Sequence, residues 1–384
     1  MKPRHQDPGQ LSFGYFFPTG QTDHIYSDEA ARRTPPLNKQ VFLDLAQAAE
    51  RAGFDSIFSA DTWSGHQRAA EVAGHHSPKF HAPLLAMAIF AVTEHIGVIT
   101  TMHTTHHKPA HVARMGATLD AFSDGRWGWN IVTGFGDPEA RLFGHETMVE
   151  HDERYAMAGE FVDIVKRLWT EPEPIDHDGK YYRVKGRIKA PRPVQRPYPL
   201  LVSAGASPAG VEFAASQADM LVIAGDTAEK IHGAEDRLRS ELNGAGTARQ
   251  VTTSPFAIVI VREGEGEAEE EYERLTRSVN YEATAELTAD ILPGVASVKS
   301  LFAGMTHEEA GLAWGSGRGI LKFMGNAEQV AAQITDLKKR TSVSNLLVNF
   351  PLWNVGEVLS FRTVLDHLRE AGIWTEPAQR SYAW

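Results

Sequence analysis

The chain predicts a TIM (β/α)8 barrel with insertions, an α/β fold. Three observations point there. Short apolar strands alternate with amphipathic helices almost to the end of the sequence. The alternation repeats eight times, the number a closed barrel needs. The length of 384 residues accommodates a barrel of about 250 residues plus insertions as a single domain, 1–384. An open doubly wound sheet is the alternative reading of the same alternation.

LSFGYFF (Leu11–Phe17) is an apolar run and reads as the first strand, with helical spacing over Asn38–Ala52 after it. FDSIFSA (Phe54–Ala60) and a helix at Leu84–Thr93 form the second unit. HIGVITTM (His95–Met102) and Ala110–Phe122 form the third. The fourth strand is RWGWNIV, opened by the turn Ser-Asp-Gly and followed by a long helix at Tyr155–Trp169. PLLVSAG with a helix at Pro208–Ala218, and DMLVIAG with a helix at Ala228–Leu242, continue the pattern. PFAIVIVRE is a seventh strand, and SNLLVNF (Ser344–Phe350) an eighth, with a helix at Glu357–Glu370. Three stretches interrupt the series. Gln21–Pro36 is polar and reads as a loop, and the proline-rich 171–197 stretch with HDGKYYRV reads as a hairpin excursion. Tyr281–Ile320, ending in GSGRG, reads as an insertion that includes a lid.

Composition narrows the function classes. A net charge of −11 argues against nonspecific nucleic-acid or anionic-membrane binding. The absence of cysteine excludes disulfides, thiolate metal sites and Cys nucleophiles. Met1–Gln10 is polar with no signal-peptide core, and no run reaches the roughly 18 apolar residues of a membrane span, so the expected location is the cytoplasm.

Barrel active sites lie at the carboxyl ends of the strands. That rule selects Phe16, Phe17, Pro18 and Thr19; Ser59 to Trp63; Thr100 to His103; Asn130 and Thr133; Ser203, Gly205 and Ser207; and Asn349, Phe350 and Trp353. The set is aromatic and hydroxyl-rich, which suits a planar, largely apolar cofactor. Asn130 lies inside an apolar strand, where an unpaired amide costs roughly 1–3 kcal/mol, so a bound polar ligand is one explanation for it. SAGASPAG (Ser203–Gly210, including Ala206) offers small residues at a helix start, either for a phosphate or simply as a turn capped by Ser207. HTTHHKPAH holds four histidines, but its spacing is not HExxH and no nearby carboxylate completes a ligand set. No metal is expected there, and His103, nearest the strand end, is kept as a proton donor. There is no GxSxG elbow, and GSGRG does not follow a strand, so a serine hydrolase and a Rossmann dinucleotide site are disfavoured.

NIVTGFGDPEARLFG followed by EHDERY, preceded by VTEHIGVITTM and PAHVARMGATLDAFSDGRWGWNIVTG, resembles the bacterial-luciferase-like flavin monooxygenases. The resemblance covers most of the chain and is strongest over Val92–Trp169. The nearest branch is that of the dibenzothiophene-sulfone, nitrilotriacetate and EDTA enzymes. It implies reduced FMN (FMNH2) as cofactor and O2 as co-substrate. It also implies a separate NAD(P)H-dependent flavin reductase as partner, and a homo-oligomer, dimer or tetramer. It implies that Thr101 and Asn130 hold O2 beside the flavin, and that Asp61, Thr101, Asn130, His151, Arg154, Tyr155, Ser203, Gly205, Ala206 and Ser207 bind the FMN. Phe17, Trp63, Phe256, Phe350 and Trp353, with Arg318 from the insertion, are then expected to line the substrate pocket. Phe256-Ala-Ile258 on strand 7 lacks the Arg and His of the alkanesulfonate enzymes, and Phe135 stands where the pyrimidine enzymes have Trp. The expected reaction is oxidative cleavage of a C–S or C–N bond in a small substrate such as a sulfone or sulfonate. An F420-dependent hydride-transfer enzyme and a non-catalytic flavin-binding relative are the alternatives.

Overall fold

A computed structural model describes residues 9–379 except 19, 23, 66, 67, 135, 247, 248 and 292–301. Eight parallel strands close on themselves. They are β1 (Ser12–Phe16), β2 (Ser56–Ser59), β3 (Gly97–His103), β4 (Trp127–Val132), β7 (Leu200–Ser203), β8 (Met220–Ile223), β9 (Thr252–Val261) and β11 (Asn345–Asn349). Pairings β8–β9, β9–β11 and β11–β1 complete the ring. The fold is therefore the parallel eight-stranded barrel that the alternation predicts, not an open sheet.

Each strand splits its side chains between two layers. Phe58, Ile99, Val202, Met220, Phe256 and Leu347 come from six different strands yet pack together, so they fill the barrel interior. Their sequence neighbours, such as Ile57, Val98, Leu201 and Val348, face outward against the helices. On β4 the two tryptophans face outward. Trp127 Nε1 donates to Thr100 Oγ1 (2.9 Å) and Trp129 Nε1 to the Met102 carbonyl (3.1 Å), so neither indole is left unsatisfied in the core. Period-two alternation then turns Gly128 and Asn130 inward. At the amino end, Ser254 Oγ donates to Asn345 Oδ1 and Asn345 Nδ2 to Ser12 Oγ, both at 2.6 Å, which closes the barrel floor with a satisfied polar knot.

The structure adds elements that the apolar pattern does not show. A ninth strand, β10 (Leu321–Gly325), runs along the carboxyl half of β9, and a helix at Ala327–Arg340 follows it. The polar 21–36 stretch contains a short helix, Asp28–Arg33, capped by Ser27. The 171–197 excursion carries the antiparallel pair β5 (Ile175–Asp178) and β6 (Arg183–Gly186). Within 281–320, helices cover Tyr281–Ile291 and His307–Gly315. No helix among the described residues is long and apolar enough to cross a membrane.

Candidate active site

β3 and β4 are in parallel register, with Thr101 and Asn130 as Cα partners. Thr101 lies two residues past the inward Ile99, and Asn130 two past Gly128, so both face the interior at the carboxyl end. Asn130 Nδ2 donates to Thr101 Oγ1 at 2.8 Å. Both residues are buried, and Asn130 Oδ1 has no hydrogen-bond partner. Because Thr101 Oγ1 is occupied as an acceptor, its own hydrogen is left to donate into the mouth.

An aromatic wall stands beside them. Phe16 stacks on Phe58 (5.4 Å between centroids) and meets Phe256 edge-on (4.9 Å). His24 packs on both Phe16 and Phe256, at 4.8 and 4.2 Å. Its backbone has φ = 64°, a left-handed conformation uncommon outside glycine, and its Nε2 is buried without a partner. Burial, helped by the nearby Lys79 charge, pushes the His24 imidazolium down to about 3, so the ring is neutral.

A second corner is built from β3 and the segment after β4. The Glu139 carboxyl, buried at the start of the helix Asp137–Leu142, lies 3.6 Å from His103 Nε2 and 3.3 Å from His106 Nε2. It also accepts the Trp63 backbone N–H at 2.9 Å. The expectation that no carboxylate stands near these histidines is thus corrected: Glu139, about thirty residues away in sequence, is brought to them by the β4 loop. No metal-binding group of three or more such residues occurs among the described residues. Burial outweighs the Glu139 attraction and pushes His103 down to about 3, so His103 is neutral and is not a charged acid. Asp61 accepts the Ala82 N–H at 2.9 Å at the start of the helix Ala82–Phe90, and burial raises its carboxyl above the ordinary range. Trp63 is partly exposed at the rim, 5.9 Å from the His107 ring.

The third region is the turn after β7. Ser207 caps the helix Pro208–Gln217, its side chain accepting from Gly210 N–H at 3.1 Å. A Cβ on Gly205 would lie 2.4 Å from the Tyr155 hydroxyl and 2.9 Å from Gly210 Cα, so only glycine allows this approach. Ser207 and Thr133 are hydrogen-bonding neighbours of that hydroxyl. Arg154 is buried, with Nη1 on the Val149 carbonyl (3.3 Å) and Nε unpartnered. Burial lowers its pKa, yet a guanidinium remains charged. His151 opens the helix His151–Thr170, which also carries Arg154 and Tyr155; it is paired with Asp152 at 2.6 Å, and its ring lies 5.3 Å from Tyr155. Ser203 is buried at the end of β7, and Ala206 is exposed in the turn. A helix N-terminus, a buried cation with an open N–H and a phenol beside a glycine turn fit a phosphate group. The residues present therefore suit the FMN that the resemblance implies.

Three expected pocket residues lie elsewhere. Phe17 packs outward on Phe42 (5.6 Å), Phe350 on Tyr15 and Phe361, and Trp353 joins the same outer layer. For Phe17 and Phe350 the reason is strand parity: Phe16 and Asn349 hold the inward positions, so the next residue turns outward; Trp353 lies in the loop beyond β11. Arg318 is exposed in the turn after the helix His307–Gly315. Thr19 and Phe135 lie outside the described residues. Sequence reasoning missed His24, Phe58, Glu139 and the inward role of Phe16. Phe16 and Phe58 lie on strands buried on both faces, and His24 and Glu139 are far in sequence from Phe256 and His103, so none of the four carried a local signal.

The chain matches the luciferase-like monooxygenase family over residues 11–344. It is 31% identical to nitrilotriacetate monooxygenase component A of Aminobacter aminovorans over 66% of this chain, spanning 62% of that relative's length. It is 30% identical to an FMNH2-dependent dimethylsulfone monooxygenase of Pseudomonas putida, over 85% of this chain and 87% of the relative. Among solved structures, riboflavin lyase with modified FMN and riboflavin superposes with a TM-score of 0.85 at 25% identity, over 96% of this chain and 93% of that one. An eight-stranded barrel with this mouth, together with a family match over most of its length, places the chain in the luciferase-like monooxygenase family.

Proposed function

We propose that the protein is the oxygenase of a two-component system. It takes FMNH2 from a separate NAD(P)H-dependent flavin reductase and uses O2 to cleave a C–S or C–N bond in a small organic substrate such as a sulfone or sulfonate. The observation that carries this reading is the buried Thr101–Asn130 pair, opening into an aromatic mouth with a phosphate-type cradle.

Reduced flavin, when bound, supplies the electrons for O2 activation. The rest is the work of this chain. Arg154, Tyr155, Ser207 and the Pro208–Gln217 helix start would hold the flavin phosphate. Asn130 fixes the Thr101 hydroxyl, whose hydrogen stabilises charge developing on oxygen without releasing a proton. The neutral rings of His24 and His103 put no charged acid at the mouth, and the interior phenylalanines exclude water. Aerobic turnover with a flavin reductase, against sulfones, sulfonates and aminopolycarboxylates, tests the reaction. Binding of F420 in place of FMN, with no O2-dependent product, would overturn it.

The phosphate assignment predicts that FMN binds more tightly than riboflavin. Tyr155→Phe and Ser207→Ala should each weaken FMN about five- to hundredfold, the loss of one hydrogen bond to a charged partner, with little change in riboflavin affinity. Equal weakening of both ligands would remove the phosphate from these residues.

The 281–320 segment, of which 292–301 lie outside the described residues, is proposed as the lid. Its Gly315 carbonyl accepts Tyr26 N–H at 2.9 Å. A Cβ on Gly317, at φ = 70°, would lie 3.0 Å from the His24 carbonyl. The segment thus leans on the loop that carries His24. If Arg318 folds inward on closure, Arg318→Ala should raise hydrogen peroxide released per FMNH2 consumed and lower product yield. Unchanged coupling would make Arg318 a surface residue only.

A further inference from the structure

The inward face of β11 carries two asparagines with opposite fates. Asn345, at the amino end, has its side chain engaged by Ser12 and Ser254. Asn349, at the carboxyl end, is 1% exposed, and its Oδ1 has no partner. It lies two residues past the interior Leu347 and is the Cα partner of Ile258. In the ring order β11-β1-β2-β3-β4, continued by β7-β8-β9, strand β4 is four steps from β11 in either direction. Asn130 and Asn349 therefore stand on opposite walls of the mouth. Asn130 is tied to Thr101, whereas Asn349 sits between the strands that carry Phe16 and Phe256. A buried acceptor left open costs roughly 1–3 kcal/mol, so a residue kept in that state is best explained by a ligand that completes it.

We infer that Asn349 determines substrate specificity. It accepts a hydrogen bond from an N–H or O–H of a substrate whose apolar, ring-like body packs on Phe16, Phe58 and Phe256. The inference rests on the monooxygenase reading of the mouth and shifts its substrates from simple sulfones and sulfonates, which carry no donor, to molecules that carry an N–H or O–H. Phe58 and Phe256 belong to the apolar interior cluster and Phe16 packs against it, so that side of the mouth suits an apolar substrate body. A substrate with no hydrogen-bond donor leaves Asn349 Oδ1 unpaired and is disfavoured.

Indole and benzofuran test this, because they share a shape and differ in one N–H. Their binding to the full-length FMN-loaded protein is measured by calorimetry. Indole is expected to bind about tenfold more tightly than benzofuran, the lower part of the range for a buried acceptor left unpaired. Asn349→Leu should abolish that preference, whereas Asn349→Asp, which keeps an acceptor, should retain it. Equal binding of the two probes to the wild-type protein overturns the inference, and that comparison does not depend on either variant folding. A preference that survives Asn349→Leu also overturns it, as does loss of FMN affinity in that variant with the preference intact, which would give Asn349 to the flavin. Failure of the wild-type protein to bind FMN sinks the monooxygenase reading instead; the two probes, measured on the flavin-free protein, then decide Asn349 separately.

Discussion

Thr101→Val should reduce product formation at least a hundredfold while leaving FMN affinity within a few-fold of wild type. Valine keeps the β-branched shape that β3 packs and deletes the one hydroxyl that faces the mouth. In the wild type that hydroxyl accepts Asn130 Nδ2 at 2.8 Å, which aims its own hydrogen at the ligand side. Removal of a single preorganised donor at a site of developing oxygen charge costs about 10²–10³ in rate. The phosphate cradle is built from other residues and should be unaffected. Asn130 Nδ2 would also lose its partner, so some destabilisation is expected, measurable as a lower Tm. Flavin oxidation should continue, with the electrons appearing as hydrogen peroxide. If the valine variant still couples FMNH2 oxidation to product at the wild-type level, Thr101 has no role in oxygen chemistry.

Mild acid should destabilise the fold through two histidines: the half-buried His24, whose Nε2 is enclosed, and the buried His103. His24 and His103 titrate near 6.5 when unperturbed, and burial pushes each down to about 3 in the folded chain. Between these values the unfolded chain binds more protons than the folded one. Stability is therefore fully present above about pH 6.5 and falls as the pH drops toward 3, by up to about 1 kcal/mol per pH unit for each histidine. Around His103 the Glu139 carboxyl opposes the shift, and His106, His107 and Lys79 reinforce it. Carboxylates held below their ordinary range, such as Glu271 beside Arg33, begin to contribute only nearer pH 4.5. Urea unfolding at pH 7.5, 6.0 and 5.0 separates the two effects. The double variant His24→Asn, His103→Gln should show a flatter stability profile between pH 6.5 and 5. Asparagine is chosen at position 24 because it tolerates the left-handed backbone found there. An unchanged slope in the double variant would assign the acid sensitivity to other groups.

Much of the architecture was legible because apolar periodicity is a local property. The strand and helix of each main unit fall within a few residues of their expected positions; Asn38, Thr227 and Asn354 sit at helix starts where their side chains cap the first turn. β10 escaped notice because five residues with only alternate burial give too short a signal beside a glycine-rich insertion. Within the site, Thr101, Asn130, Ser207 and Tyr155 could be named from strand ends and motifs. Phe17 and Phe350 lie a single step along the chain from the inward positions, and Trp353 lies in the loop beyond β11.

That single step shows where local reading stops. The sequence by itself determined the count of βα units, the polar residues at the ends of β3, β4 and β7, and the family to which those motifs belong. The tertiary structure alone decided which residue of each neighbouring pair faces the mouth. In a parallel barrel both faces of a strand are buried, so YFF and VNF are apolar or neutral throughout and carry no alternation that marks inside from outside. Only closure of the ring fixes that parity, turning Phe16 and Asn349 inward and Phe17 and Phe350 out. Closure also joins what the chain keeps apart. His24 reaches Phe256, and Glu139 reaches His103, because curvature brings segments together that no local pattern relates.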